Sequence, residues 1–264
     1  MTVLGTTDPG SPGFFVCGRL KVDNNCIVTL GFCTDMRWFS SPLAARCDLV
    51  LLPELVDGGY AALANGKGTH RTNSPFLQRW KSMTRQSRTT IAAGSVRLDH
   101  GDNDYTNTAL VYWQGRQILR YDKIHMFPLT NDSRYFRSGT RTPVARITVK
   151  GNALRLGVII CYDLRFPELP RILARKGVDL LLVPARWPRE RNDAWRTLLK
   201  ARAIENQIFV AGCNASGKEG GPSYMFDPAG TMVRPESGSP QGWKWYHVDT
   251  KKLTKTRKLF VLRD

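Results

Sequence analysis

The sequence predicts an α/β fold, and two observations predict it. Short runs rich in Val, Ile and Leu recur along the chain, and stretches with helical spacing separate them. Several runs are near-continuous rather than alternating, such as Leu156-Gly157-Val158-Ile159-Ile160 and Leu180-Leu181-Leu182-Val183, which marks strands covered on both faces. Helices outside stacked sheet are the simplest architecture that covers them.

In chain order, residues 1–13 are rich in Gly, Thr and Pro and read as a loose tail, followed by a single domain over 14–264. Strands are expected at 26–30, 48–52, 90–96, 108–113, 117–121, 154–160, 179–183 and 207–211. Helices are expected at 71–87, 167–176 and 193–206. The second ends in Arg175-Lys176 before Gly177, basic residues in the last turn and a glycine just past it. The third sets Trp195, Leu198, Leu199 and Ala203 on one face and Arg196, Lys200 and Arg202 on others, with Asn192 or Asp193 placed to cap it. Residues 212–221 are rich in Gly and Ser and read as a loop.

Composition narrows the function classes. The chain is 42% hydrophobic and 23% charged, as in ordinary globular proteins. The N-terminus has no basic and apolar signal pattern, and no apolar run nears the ~20 residues of a membrane helix, so the expected compartment is the cytoplasm. A net charge of +17 raises the possibility of a nucleic-acid partner. The basic residues are spread out, densest at 251–258, and no nucleic-acid motif accompanies them, so a solvated basic surface that attracts anions is the favoured reading. Six cysteines form no Cys-x-x-Cys pair and no Cys/His cluster with zinc spacing, so neither a metal site nor a disulfide framework is expected. Most read as small buried hydrophobes, Cys26 and Cys213 within strands.

Cys161 differs because polar residues in like positions accompany it. Glu54 follows Leu49–Pro53, Lys123 follows the strand at 117–121, and Cys161 follows Leu156–Ile160. Strand ends that meet at one rim are where α/β folds gather reactive groups. A thiol attacks as thiolate, yet with a pKa of about 8.5 it is mostly protonated at neutral pH. A carboxylate can take that proton and return it to a departing amine, and an ammonium with the Tyr162 N–H can stabilise an oxyanion. Taken singly, each has a plainer reading: a turn carboxylate, a surface lysine, a core cysteine.

The surrounding residues decide between these. Leu52-Pro53-Glu54-Leu55, Tyr121-Asp122-Lys123-Ile124-His125-Met126-Phe127 and Cys161-Tyr162-Asp163-Leu164-Arg165-Phe166-Pro167-Glu168 resemble the three signature segments of the nitrilase (carbon–nitrogen hydrolase) superfamily, in the family's order. Ala201–Gln207 and the Asp227-Pro228-Ala229-Gly230 turn resemble it further, and Pro184-Ala185-Arg186-Trp187-Pro188 resembles its ω-amidase-like branch. The resemblance implies a four-layer αββα sandwich, commonly dimeric, and a thioester acyl-enzyme route without metal or organic cofactor. It implies Cys161 as nucleophile with Glu54 and Lys123 as partners, and a carboxamide as substrate. The family's second glutamate is missing between the lysine and the cysteine; Asp132 is the nearest candidate, one methylene shorter. Gly221-Pro222-Ser223 matches the family's Gly-x-Ser element imperfectly.

Arg165 is a candidate grip for a substrate carboxylate, or else an ion-pair partner of Asp163 or Glu168. Arg186 could add positive charge to the pocket, and Trp187 and Phe127 could wall it. A small ω-amido acid fits this set, with a carbamoyl amino acid as the alternative. His125 offers a rival base but lies in the lysine segment and reads as structural. A non-catalytic scaffold is the remaining alternative.

Overall fold

The structure is a computed structural model and describes residues 27–39, 41–87 and 90–259. The tail expected at 1–13, Cys17 and Cys26 lie outside the described residues. The strands are β1 (Ile27–Cys33), β2 (Leu49–Leu51), β3 (Thr69–His70), β4 (Thr90–Asp99), β5 (Tyr105–Trp113), β6 (Arg116–Asp122), β7 (Val144–Val149), β8 (Asn152–Val158), β9 (Leu180–Ala185), β10 (Phe209–Asn214), β11 (Tyr224–Phe226), β12 (Met232–Val233) and β13 (Trp243–Asp249). The helices are α1 (Ser41–Ala44), α2 (Gly59–Ala64), α3 (Pro75–Ser87), α4 (Glu168–Arg175), α5 (Asn192–Asn206) and α6 (Lys251–Leu259).

The strands form two sheets, ordered β13-β1-β2-β4-β5-β6, with β3 on β4, and β12-β11-β10-β9-β8-β7. Each has a parallel centre, β1-β2-β4 in one and β8-β9-β10 in the other, flanked by antiparallel strands. Side-chain alternation sorts the residues into layers. Leu49 and Leu51 of β2 and Ala109 and Val111 of β5 join Leu154, Leu156 and Val158 of β8 in the core between the sheets. Val50, Leu52, Leu110 and Tyr112 point the other way and pack on Leu77, Trp80 and Met83 of α3. On the second sheet Leu173 of α4 and Trp195, Leu199 and Ala203 of α5 cover the outer face. The result is a mixed α/β fold in which helices pack on the two sheets.

The apolar runs expected to be buried on both faces are so: every residue of β2, β9 and β10 is buried. Three local expectations need correction. Gly212 to Asn214 are strand, not loop, in register with Val183 to Ala185 of β9; the missing side chain of Gly212 makes room for Trp195 and Leu199. The N-cap of α5 is Arg191; Asn192 lies inside the helix and accepts the Tyr224 hydroxyl instead. Arg202, set apart from the apolar face by helical spacing, is buried. Among the described residues no helix is long and apolar enough to cross a membrane, and no His/Cys/Asp/Glu group could hold a metal ion. Cys33, Cys161 and Cys213 are free thiols, and all three, like Cys47, are buried.

Candidate active site

The C-terminal ends of the central parallel strands meet at one crevice. Glu54 follows β2, Cys161 follows β8 and Arg186 follows β9. Each is held by its backbone before its side chain matters. The turn carrying Glu54 lies directly on β4: Ser95 N–H donates to Pro53 O at 3.0 Å, Val56 N–H donates to Ser95 O at 2.9 Å, and the Ser95 hydroxyl accepts from Leu55 N–H at 3.1 Å. Gly94 makes this approach possible, because a Cβ there would overlap Pro53 O. Lys123 is pinned on both sides: its N–H donates to Asn107 O at 2.9 Å and its carbonyl accepts from Gly139 N–H at 2.8 Å. Gly139 too has no space for a Cβ against Asp122 O.

Cys161 opens a 3-10 turn, Cys161–Arg165, with φ of 48°, and Leu55 beside Glu54 has φ of 45°. Both are non-glycine residues in the left-handed region, a strained backbone next to reactive groups. Asp163 fixes the turn. Its fully buried carboxylate accepts from Ile160 N–H at 3.0 Å, the Tyr121 hydroxyl at 2.7 Å and His125 N–H at 2.8 Å. It thereby ties the lysine segment to the cysteine segment. Arg202 supports the turn from α5, donating twice to Leu164 O at 3.1 and 2.9 Å.

The side chains converge. Lys123 Nζ lies 2.9 Å from Glu54 Oε1 and 2.7 Å from Asp132 Oδ2, and all three side chains are fully buried. Asn107 Nδ2 donates to Glu54 Oε1 at 2.9 Å, and Arg186 N–H donates to Glu54 Oε2 at 3.1 Å. Asp132 reaches Lys123 despite its shorter side chain because the chain turns sharply before it, Asn131 having φ of 51°. Its carboxylate also accepts from Phe127 N–H at 3.1 Å and from the Thr130 hydroxyl.

These contacts set the proton inventory. Burial pulls the Lys123 ammonium toward deprotonation, but the Glu54 carboxylate, with lesser help from Asp132, holds its pKa well above the usual value. Burial works against the charged form of Asp132 as well; Lys123 outweighs it and keeps that carboxyl below its usual range. Burial first, then the Glu54 carboxylate, pushes the Cys161 thiol well up, against the pull of Lys123 and the Arg186 N–H. Cys161 is therefore a neutral thiol at rest, beside a carboxylate able to accept its proton.

Glu54, Lys123 and Cys161 line one cavity of about 190 Å3, together with Tyr60, Phe127, Tyr162, Arg165, Arg186 and Trp187 among others. Asp132 and His125 do not line it. The His125 ring stacks on Phe166 at 3.4 Å between centroids and its Nδ1 meets Asp163 at 3.0 Å.

The sequence model of the carbon–nitrogen hydrolase family matches residues 36–258. The chain belongs to the carbon–nitrogen hydrolase family. A 2-oxoglutaramate amidase of Bacillus subtilis (strain 168) is 32% identical over 233 residues, 86% of this chain and 88% of that protein. Omega-amidase YafV of Escherichia coli (strain K12) is 33% identical over 192 residues, 70% of this chain and 71% of its own length. Among solved structures, XC1258 of Xanthomonas campestris, described as a CN-hydrolase superfamily protein, is similar with a TM-score of 0.73 and 26% identity over 89% of this chain and 95% of its own. Saccharomyces cerevisiae Nit3, of the nitrilase superfamily, has a TM-score of 0.75 at 20% identity, covering 90% of this chain and 96% of its own, and shows the fold.

Set beside this carbon–nitrogen hydrolase's structure, two sequence expectations need restating. Arg186 is not a free cation: its guanidinium donates to Glu54 O at 2.8 Å, Leu55 O at 2.9 Å and Glu219 at 2.8 Å. Arg165 pairs with neither Asp163 nor Glu168; it is exposed, its guanidinium 5.1 Å from the Trp187 ring centroid. Sequence reasoning missed Asn107 and Tyr60, which touch Glu54, and Asn214, which clamps Trp187 through Trp187 N–H and O at 2.8 and 2.9 Å. Asn107 and Asn214 sit in strands, where no local pattern marks a polar residue as aimed at a distant loop.

Proposed function

We propose that this carbon–nitrogen hydrolase is an amidase acting on small ω-amido acids, a 2-oxo acid amide among them. The observation that carries the reading is the shared cavity: a thiol, a carboxylate and an ammonium face one space whose mouth carries the unpaired Arg165 guanidinium. At about 190 Å3 it lies below the ~300 Å3 where drug-sized pockets begin, which suits a short acyl chain. The named amidases among the relatives support the same substrate class.

Cys161 Sγ attacks the carboxamide carbon as Glu54 takes the thiol proton. Negative charge gathers on the carbonyl oxygen. Lys123 has three N–H donors, two engaged by Glu54 and Asp132, and the third meets that oxygen. The Tyr162 N–H, in the first turn after Cys161, supplies the second donor. Collapse breaks the C–N bond, Glu54 returns the proton to nitrogen, and ammonia leaves a thioester on Cys161. Water, deprotonated by Glu54, attacks the thioester; the carboxylic acid leaves and the thiol is restored. Arg165 grips the substrate's distal carboxylate, and Trp187 and Phe127 wall the chain. The same reading takes the enzyme as a cytoplasmic homodimer.

The test is ammonia release from ω-amido acids, carbamoyl amino acids and nitriles. ω-Amido acids are expected to turn over fastest, Cys161→Ala to release no ammonia, and His125→Ala to keep most activity. An active Cys161→Ala or an inactive, folded His125→Ala would move the nucleophile–base pair elsewhere.

Asp132 is a positioning residue in this scheme, since it holds Lys123 without lining the cavity. A hydrogen bond to a charged group contributes about 1.5–3 kcal/mol, so Asp132→Asn is expected to lower kcat by roughly 10- to 100-fold with little change in KM. A rise in KM alone would place Asp132 on the substrate instead.

A further inference from the structure

Three arginines line the cavity, and they are not equivalent. Arg186 is consumed by Glu219 and two backbone carbonyls. Arg165 and Arg191 are both exposed, and neither guanidinium has an ion pair or hydrogen bond among the described residues. Each instead lies over an aromatic wall. The Arg165 guanidinium carbon is 5.1 Å from the Trp187 ring centroid, and that of Arg191 is 5.7 Å from the Phe127 ring centroid. The walls and the cations are joined: the Trp187 indole N–H donates to Arg191 O at 2.9 Å, and Phe127 packs on Tyr162 with centroids 4.9 Å apart. Arg191 also occupies the N-cap position of α5, which ties its backbone to that helix.

Two unpaired guanidiniums at one largely apolar cavity mouth repel each other and attract an anion. A guanidinium presents planar, forked donors that match a carboxylate, and an aromatic face beneath it holds the plane without competing for those donors. Cys161 lines the same cavity, which fixes where the amide must lie. We propose that Arg191 joins Arg165 in a two-guanidinium site that binds the distal carboxylate of the acyl chain and so selects ω-amido acids over neutral amides. This rests on the amidase reading above and adds Arg191 to it as a specificity-determining residue. Sequence reasoning weighed Arg165 for this role from its place after Cys161; Arg191 reaches the mouth from a separate segment, brought there by the turn after Pro188.

The test compares kcat/KM for succinamate and its uncharged counterpart succinamide. The wild type is expected to favour succinamate. Arg191→Gln is expected to lower the succinamate-to-succinamide ratio by about 10- to 100-fold, mainly through KM, as loss of a charge-assisted contact predicts. Arg191→Lys is expected to recover part of it. Arg196→Gln, which removes the same charge from the exposed face of α5 outside the cavity, is expected to leave the ratio within about twofold, because screening weakens distant charges. An equal fall on both substrates, or an equal effect of Arg196→Gln, overturns the assignment of Arg191. A wild type without preference for succinamate overturns the ω-amido acid reading itself, whereas a preference that Arg191→Gln leaves intact overturns the present inference alone.

Discussion

Lys123→Met is expected to abolish measurable turnover and to destabilise the fold at the same time. The catalytic loss follows from position: Lys123 Nζ is 2.9 Å from Glu54 and lines the cavity with Cys161, so in the proposed mechanism the variant lacks the side-chain oxyanion donor and the cation that orders the base. Loss of one such donor costs about 10²–10³ in kcat, and the disordered base adds to this. The stability loss follows from burial. Methionine fills the space, but Glu54 and Asp132 are left as two fully buried carboxylates with no cation between them. Removing one partner of a buried ion pair costs about 3–5 kcal/mol. Circular dichroism in urea, alongside ammonia release, measures both.

The pH dependence of that loss separates electrostatics from packing. In the wild type the depressed carboxyl of Asp132 stabilises the fold above the ordinary carboxylate value near 3.9, and this contribution is lost as pH falls through its lower folded value. In Lys123→Met the sign reverses. The folded state now binds protons more readily than the unfolded state, so stability falls as pH rises toward neutrality. A gap from wild type that is the same at pH 5 and pH 8 would mean a packing defect. Combining Lys123→Met with Glu54→Gln and Asp132→Asn removes the stranded charge, and is expected to recover much of the stability while leaving the protein inactive. Stability and activity loss would then have separate causes within one cluster.

What the sequence could show of this cluster depended on whether the contacts were local. Glu54, Lys123 and Cys161 each stand at a strand end inside a recognisable segment, and the continuous apolar runs at 156–160 and 180–183 already spoke for strands covered on both faces. Asp132 was legible as the nearest acid; that it reaches Lys123 follows only from the left-handed turn at Asn131. Arg186 reads as a charge in sequence, and only the fold brings Glu219, 33 residues on, to neutralise it. Asn107, Asp163 and Arg202 act through partners 53, 38 and 38 residues away. Their spacing carries no period, because sheet topology rather than local repeat sets it. Arg202 shows the cost of reading periodicity alone: helical spacing set it off the apolar face, yet it is buried and donates to Leu164 O inside the turn that Cys161 opens.

Gly94→Ala is expected to damage the site more than any other single methyl, although Gly94 touches no catalytic side chain. Its Cα hydrogen faces Pro53 O, and a methyl there would overlap that oxygen and crowd Leu52 O as well. Both neighbours are backbone, so no rotamer change can relieve the clash. The Glu54 turn or β4 must move. Neither is free to: Ser95 is bonded to Pro53, Leu55 and Val56, and the ladder between β4 and β5 already shifts register between Ala93 and Ser95 to bring the strand close. Moving the turn also draws Glu54 away from Lys123 and Asn107, leaving buried polar groups unmatched. The expected result is a variant destabilised by several kcal/mol, in line with the ~1–3 kcal/mol of overpacking plus each broken buried hydrogen bond. Where it folds, kcat is expected to fall by 10²-fold or more, on the order reported for small misplacements of reacting groups. Gly101→Ala is the matched control, because nothing lies within 4 Å of a Cβ built there. Its φ of 93° carries backbone strain alone, so it reports what a methyl costs without the clash. If Gly94→Ala kept wild-type stability and turnover while Gly101→Ala did not, close backbone contact would not be what holds Glu54 against the nucleophile.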